Sequence, residues 1–118
     1  MRPYYFKDMY SFEERFDEVQ QIKKKYPTHI PVICEKERNA SDIASSSKCK
    51  YLLNRNMKMC EFVYIIRTNI NLSPEKGLFF FINGVIPAMN EIVGTLYMHN
   101  KSNDGFLYMR YTTENTFG

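Results

Sequence analysis

The chain has 118 residues, of which 44% are hydrophobic and 25% charged, and this balance predicts one folded domain around one core. A net charge of +3 does not require nucleic acid, and the longest apolar run, residues 78–82, is far shorter than a membrane-spanning helix. Three cysteines without CxxC spacing argue against a disulfide framework or a metal site and favour a reducing cytosol, so no cofactor is expected.

The N-terminal residues are predicted to be helical. Ser11 and Glu14 match a capping box, and apolar residues then recur at helical spacing until Pro27, which predicts an amphipathic helix over 11–25. One more helical turn is expected over 3–9, whose aromatic residues offer an apolar patch that needs a surface to lie against. The apolar residues of the longer helix are Phe12, Phe16, Val19 and Ile22, and the aromatic residues of the shorter one are Tyr4, Tyr5 and Phe6.

The rest of the chain is predicted to alternate between strands and two more helices. Every position from Ile30 to Cys34 is apolar, so this strand is expected to be covered on both faces, with Pro31 at an edge-facing or irregular position. Asn83-Gly84 is a two-residue hairpin signal, and Asp104-Gly105 marks another turn. The predicted elements are a strand over 29–35, a polar loop over 38–47, a strand over 50–53, a helix from 59 to near 72, a strand over 78–82, a return strand at 85–86, a helix over 88–99 and a last strand over 106–111.

This order of elements is typical of an α+β domain in which the last strand, long and apolar, lies at the centre of the sheet. Four segments connect the chain to a family: KKYPTHIPVICEK, KYLL, FVYIIRTNINLSPEKGLFFFINGVIP and DGFLYMRYTTENTFG. Through them it resembles the GABARAP and light-chain family of autophagy modifiers, from about residue 5 to the terminus. The resemblance implies a ubiquitin-like β-grasp with two additional N-terminal helices, divided into a helical extension (1–26), a ubiquitin-like core (27–112) and a flexible conjugation tail (113–118).

The resemblance also implies a chemistry for Gly118. In the family a terminal glycine is adenylated, passed as a thioester between activating and conjugating enzymes, and joined to phosphatidylethanolamine, while a cysteine protease processes precursors and removes the lipid. A residue without Cβ suits a tail that enters narrow enzyme clefts, and Thr116 and Phe117 would hold that tail in place. Two acyl chains would then anchor a cytoplasmic protein to the autophagosome membrane. Whether Gly118 is encoded last or exposed by processing stays open.

Partners of this family carry an aromatic residue and, three positions later, an aliphatic one, on a strand that adds to an exposed sheet edge. The KYLL strand is expected to be that edge, with motif-bearing cargo receptors as partners. By resemblance, an aromatic pocket is lined by Glu18, Ile22, Pro31, Lys50, Leu52 and Phe106. An aliphatic pocket is lined by Tyr51, Leu53, Met57, Phe62 and Ile65, and the residues expected to contact acidic groups beside the motif are Lys48 and Arg67.

Partner preference and the fate of Gly118 stay open at this point. Asn54 and Asn69 stand where the family usually has proline and a basic residue, and residues 45–49 interrupt a stretch that is usually rich in lysine. A modifier joined to protein rather than lipid would share the fold. So would an unconjugated adaptor that binds motif peptides or tubulin.

Two other classes of function are not supported by the sequence. An enzyme would need a signature around its cysteines or histidines, and there is none; Cys34 and Cys60 are expected to be buried structural residues and Cys49 to be exposed. The aromatic run at 79–81 has no alternating basic residues, so it is expected to pack in the core rather than to stack on nucleic acid bases.

Overall fold

The computed structural model describes residues 5–38 and 48–113. Most of the predicted loop over 38–47, all but the first residue of the predicted conjugation tail over 113–118, and the first two residues of the helical turn predicted over 3–9 therefore lie outside the described residues. The elements are α1 (Phe6–Met9), α2 (Phe12–Lys25), β1 (His29–Lys36), β2 (Lys50–Asn54), α3 (Met59–Asn69), β3 (Phe79–Phe81), α4 (Val93–Asn100) and β4 (Leu107–Thr112).

The four strands form one mixed sheet in the order β2-β1-β4-β3. β1 pairs antiparallel with β2 and parallel with β4, and β3 pairs antiparallel with β4. The last strand therefore lies inside the sheet, as predicted, and β2 and β3 are edge strands. Pro31 lies in an interior strand, but the parallel register with β4 begins only at Val32, so the proline occupies a position where that ladder has not yet started.

Helices cover both faces of the sheet. On one face Phe62 of α3 and Val93 of α4 are fully buried in the main core, together with Val32 of β1. On the other face α1 and α2 close a smaller core that consists of Phe6, Val19, Ile33 and Phe106. β1 is thus buried on both faces, as predicted. Of the predicted aromatic patch, Phe6 lies in the smaller core, where its ring meets that of Phe106 edge-on at 5.3 Å, whereas Tyr4 lies outside the described residues.

α2 begins as predicted but turns a different stripe toward the sheet. The Ser11 hydroxyl accepts a hydrogen bond from the Glu14 N–H and the Glu14 carboxylate accepts one from the Ser11 N–H, which confirms the capping box. Phe12 and Phe16 are 46% and 40% exposed and stack on each other at 6.0 Å, so the expectation that they share the buried face of Val19 was wrong. The stripe that faces the sheet consists of Arg15, Val19 and Ile22.

The turn after β3 has the predicted form without the predicted return strand. Asn83 and Gly84 have φ values of 52° and 78°, as a tight two-residue turn requires. Only one bridge, between Ile82 and Val85, follows it. The chain then leaves the sheet at Pro87, which has no N–H to continue a ladder.

Both helices of the C-terminal half are shorter than predicted. α4 begins at Val93 rather than at residue 88, because two carbonyls of the preceding segment accept hydrogen bonds from the start of α3. The Cys60 N–H donates to the Met89 carbonyl and the Met59 N–H to the Glu91 carbonyl, each at 2.8 Å. α3 ends at Asn69 rather than near residue 72, since Asn71 takes a φ of 53° that an α-helix cannot include.

Candidate functional site

The candidate site is built on the edge strand β2. Tyr51 and Leu53 are each 4% exposed and lie in the main core, whereas Lys50, Leu52 and Asn54 are exposed. This alternation follows from the pleat of a strand, whose successive side chains point to opposite faces of the sheet. The two pockets predicted from the sequence therefore fall on the two faces of one strand.

The backbone of β2 faces outward at the positions between the core residues. The Cys34 N–H donates to the Cys49 carbonyl at 2.8 Å, and the antiparallel register continues in step along both strands. Because bonding directions alternate, Tyr51 turns its N–H and C=O toward β1, and Lys50 and Leu52 turn theirs away from the sheet. A further strand could bond to those outward-facing groups.

The residues predicted for the aromatic pocket come together between α2 and β2. Pro31 is buried and lies directly across the β1–β2 ladder from Leu52, which is 37% exposed. Ile22 is half-buried and packs against the smaller core, to which the fully buried Phe106 belongs. The remaining two members, Glu18 of α2 and Lys50 of β2, form an ion pair across the gap.

The residues predicted for the aliphatic pocket lie on the opposite face, between β2 and α3. Tyr51, Leu53 and Phe62 belong to the main core, and the rings of Tyr51 and Phe62 meet edge-on at 5.2 Å. Met57 and Ile65 are half-buried at the border of that core. A ligand would thus touch Met57 and Ile65 first, while the other three form the wall behind them.

The two predicted cationic contacts have different surroundings. The Lys48 ammonium is on the surface and lies 4.8 Å from the centre of the Tyr51 ring. The Arg67 guanidinium donates to the Ser73 carbonyl at 3.2 Å and to the Lys76 carbonyl at 2.8 Å, so it holds the turn that follows α3. Its contact with acidic groups of a partner stays a prediction.

The two residues that depart from the family pattern both have local roles. The Asn54 side-chain oxygen accepts the Asn56 N–H at 2.9 Å, and its carbonyl accepts the Met57 N–H at 3.0 Å, so Asn54 forms the turn after β2. The Asn69 amide donates to the Tyr51 hydroxyl at 3.3 Å. Each asparagine therefore stabilises an end of the predicted aliphatic pocket.

The three cysteines are free thiols that differ in burial. Cys34 is fully buried, and burial, with smaller effects from Glu35 and Cys49, raises the pKa of its thiol well above the usual value. Cys49 is half-buried, and Cys60 is exposed on α3, so the expectation that Cys60 is buried was wrong.

Among residues 5–38 and 48–113 no group of three or more histidine, cysteine or acidic residues could hold a metal ion. Over the same residues no helix is long and apolar enough to cross a membrane.

A buried polar cluster beside the predicted aromatic pocket could not be found from the sequence. Arg15 donates to the Asp104 carboxylate at 2.5 Å, Tyr108 donates to it at 2.5 Å, and the Phe106 N–H donates to it at 2.9 Å. Burial disfavours the Arg15 charge, but the bonds to Tyr108 and Asp104 raise the pKa of Arg15 overall. Burial and the same carboxylate raise the pKa of Tyr108 far above its usual value. No local motif marks these residues, since Arg15 and Asp104 are 89 positions apart.

The mixed sheet, with its first and last strands paired in parallel at the centre and α3 packed across one face, defines a ubiquitin-like protein of the α+β class, extended by two N-terminal helices. The family model described as "Autophagy protein Atg8 ubiquitin like" matches residues 14–118. The chain therefore belongs to the Atg8 family. The resemblance and the fold class inferred from the sequence are both confirmed.

Individual relatives agree with this assignment over nearly the whole chain. Autophagy-related protein 8 of Schizosaccharomyces pombe is 51% identical over 113 residues, which cover 96% of this chain and 93% of that protein. Autophagy-related protein 8 of Mycosarcoma maydis is 46% identical over 113 residues, covering 96% and 95% respectively. The crystal structure of Trypanosoma brucei ATG8 superposes with a TM-score of 0.88 at 32% identity, covering 99% of this chain and 100% of that one.

Proposed function

We propose that this protein is conjugated through Gly118 to phosphatidylethanolamine on autophagosomal membranes, where it recruits cargo receptors and autophagy machinery that carry aromatic-x-x-aliphatic motifs. Activating and conjugating enzymes of the autophagy pathway would attach the lipid, and a cysteine protease would remove it. The unmodified protein would reside in the cytoplasm.

The observation that carries the recruiting role is the geometry of β2. It is an edge strand whose Lys50 and Leu52 backbone groups face outward, so an extended peptide can add to the sheet there. Successive side chains of such a peptide would point to opposite faces of the sheet. An aromatic residue could then enter the gap between α2 and β2, and an aliphatic residue three positions later could meet Met57 and Ile65 on the other face.

The conjugation role is supported by the family match, which extends to Gly118. Glycine presents an unhindered carbonyl to each attacking thiol or amine, and attachment of a two-chain lipid supplies the stable membrane anchor that one acyl chain cannot. The attachment is reversible by hydrolysis of the new amide, so it can act as a switch between cytoplasm and membrane.

Intact mass measured in cells induced for autophagy tests the conjugation. We expect a mass gain equal to phosphatidylethanolamine less one water in the parent protein and none in a Gly118→Ala variant. Phospholipase D should remove the phosphatidic acid part of that gain and leave ethanolamine joined to the glycine. A phospholipase-resistant ladder on other proteins would indicate a protein modifier. An unmodified chain in both samples would indicate an unconjugated adaptor and would refute the lipid mechanism.

Binding of a motif peptide tests the recruiting face. Leu52→Ser should weaken the complex about tenfold, because it removes an apolar contact at the centre of the expected interface. Ile86→Ser is the matched control, since Ile86 is similarly exposed, 40% against 37% for Leu52, and follows β3 at the other edge of the sheet. Equal affinities of both variants for the peptide would exclude β2 as the docking edge.

A further inference from the structure

We infer that Arg15 and Asp104 are positioning residues for the aromatic pocket: their buried ion pair holds α2 at the separation from β2 that an incoming aromatic ring needs. The inference rests on the proposed function, because it concerns the site at which motif peptides would bind. Neither residue belongs to the set expected to touch the peptide.

Arg15 shares one stripe of α2 with the pocket residues. Glu18, Val19 and Ile22 follow it at three, four and seven positions, and residues at these spacings lie on one face of a helix. Val19 is fully buried, Ile22 packs against the smaller core, and Glu18 pairs with Lys50 of β2. The side chain that binds Asp104 and the side chains that would surround the peptide ring therefore move together as one rigid body.

The two ends of α2 are held in different ways. At its C-terminal end the chain turns directly into β1, with the Tyr26 N–H bonded to the Ile22 carbonyl and the His29 N–H bonded to the Tyr26 carbonyl. Near its N-terminal end the Arg15 and Asp104 side chains are 12% and 0% exposed. A charged pair in this setting is strongly directional and is not screened by water.

The ion pair between Glu18 and Lys50 cannot replace the contact between Arg15 and Asp104. The Lys50 and Glu18 side chains are 42% and 33% exposed, and ion pairs in contact with water contribute little. Arg15 lies about 16 Å along the helix from Tyr26 and Glu18 about 12 Å, so a rise of roughly 2 Å at Arg15 would move Glu18 by roughly 1.5 Å. The angle of α2, and with it the width of the pocket, therefore depends on the Arg15 contact.

Asp104 is itself held in place by hydrogen bonds to its carboxylate. Its carboxylate accepts three hydrogen bonds, two of them from the backbone N–H of Phe106, which directly precedes β4, and from the hydroxyl of Tyr108 in β4. The neighbouring Gly105 carbonyl accepts the Tyr97 hydroxyl at 2.7 Å, which ties the same turn to α4. Because Phe106 is one of the residues predicted to line the aromatic pocket, Asp104 fixes Phe106 and α2 relative to one another.

A double variant, Arg15→Met with Asp104→Asn, tests the inference without leaving a buried charge unpaired. Its matched control is Arg38→Met with Asp8→Asn, which makes the same substitutions in the exposed ion pair of α1, whose side chains are 60% and 44% exposed. Dissociation constants are measured for three peptides: a parent motif, the same peptide with alanine at the aromatic anchor, and one with alanine at the aliphatic anchor. Circular dichroism verifies that each variant is folded.

If α2 keeps the binding-competent position only a tenth of the time, the apparent Kd rises about tenfold. We expect that loss for the parent peptide and for the peptide without its aliphatic anchor, but not for the peptide without its aromatic anchor. The control should bind all three like the unchanged protein. The single variant Arg15→Lys, which keeps the positive charge beside Asp104, should bind the parent peptide with most of the affinity of the unchanged protein.

Equal losses for all three peptides, or no loss for any, would overturn the inference. If the double variant does not fold, the single variant Asp104→Asn is compared with the same three peptides. It is expected to fold because asparagine can still accept the Phe106 N–H. Failure of the unchanged protein to bind the parent peptide would have a different meaning, since it would overturn the proposed recruiting function itself.

Discussion

Replacement of Gly105 by alanine tests how closely α2 is seated on the sheet. Gly105 lies in the turn before β4 with a φ of 95°, and a Cβ built on it would come within 2.6 Å of Val19 Cγ1. Val19 is fully buried, so it cannot swing into solvent to make room. Gly105→Ala therefore combines two penalties, one in its own backbone and one in the contact with α2.

The size of each penalty can be worked out separately. A residue with a Cβ in a left-handed backbone conformation costs about 1–2 kcal/mol. An extra methyl group forced into a packed core costs about 1–3 kcal/mol. Gly84→Ala isolates the first penalty, because Gly84 has a φ of 78° but nothing lies within 4 Å of its added Cβ. We expect Gly105→Ala to be the more destabilising by about 1–3 kcal/mol.

Urea unfolding followed by circular dichroism measures both free energies of unfolding. With an m-value of about 2 kcal/mol per molar, the two midpoints should differ by roughly 0.5–1.5 M. Val19→Ala should bring the cost of Gly105→Ala closer to that of Gly84→Ala, because it removes Cγ1, which lies 2.6 Å from the added Cβ, and leaves only Val19 Cβ at 3.2 Å. Equal costs for the two glycine variants in the parent background would refute the close contact between α2 and the turn.

Three further outcomes follow from single side chains. The Tyr5 hydroxyl is buried and has no hydrogen-bond partner in the part of the chain that the structure describes. Tyr5→Phe should therefore raise the free energy of unfolding, measured by urea titration, by about 1 kcal/mol. A clear loss of stability would show that the hydroxyl is hydrogen-bonded. The pKa of Tyr108 is raised from 10.0 in the folded protein, so the tyrosine ionises first in the unfolded chain and stability should fall as the pH rises above 10. Tyr108→Phe should make that fall in stability less steep. An unchanged slope would show that other groups cause the fall. Timed alkylation with mass detection should label exposed Cys60 first and Cys34 only on unfolding. Burial blocks access to Cys34 and raises the pKa of its thiol. Labelling of both cysteines at the same rate would contradict this prediction.

The parts of the fold that depend on neighbouring residues were predictable from the sequence. The Ser11–Glu14 capping box and the Asn83-Gly84 turn involve residues within three positions of one another, and both have the expected geometry. The start of α4 was not predictable, because residues 89–94 obey helical spacing but bond to the chain near α3. Local periodicity cannot reveal such non-local bonding.

The candidate site divides in the same way. Alternation along β2 separates Leu52 from Tyr51 and Leu53, so the two faces of the edge strand could be inferred once the strand was located. The inward turn of Arg15 could not be inferred, because a charged residue on an amphipathic helix is expected on its solvated side. Its buried partner, Asp104, comes from the far end of the chain.

The parallel pairing of β1 with β4 has a consequence for synthesis of the protein. Val32 pairs with Leu107, so the centre of the sheet joins two segments that lie 75 positions (107 − 32) apart in the chain. The entropy of closing so long a loop must be lost before these contacts form, and such topologies fold slowly. On the ribosome, the growing chain therefore cannot complete its sheet until β4 has emerged.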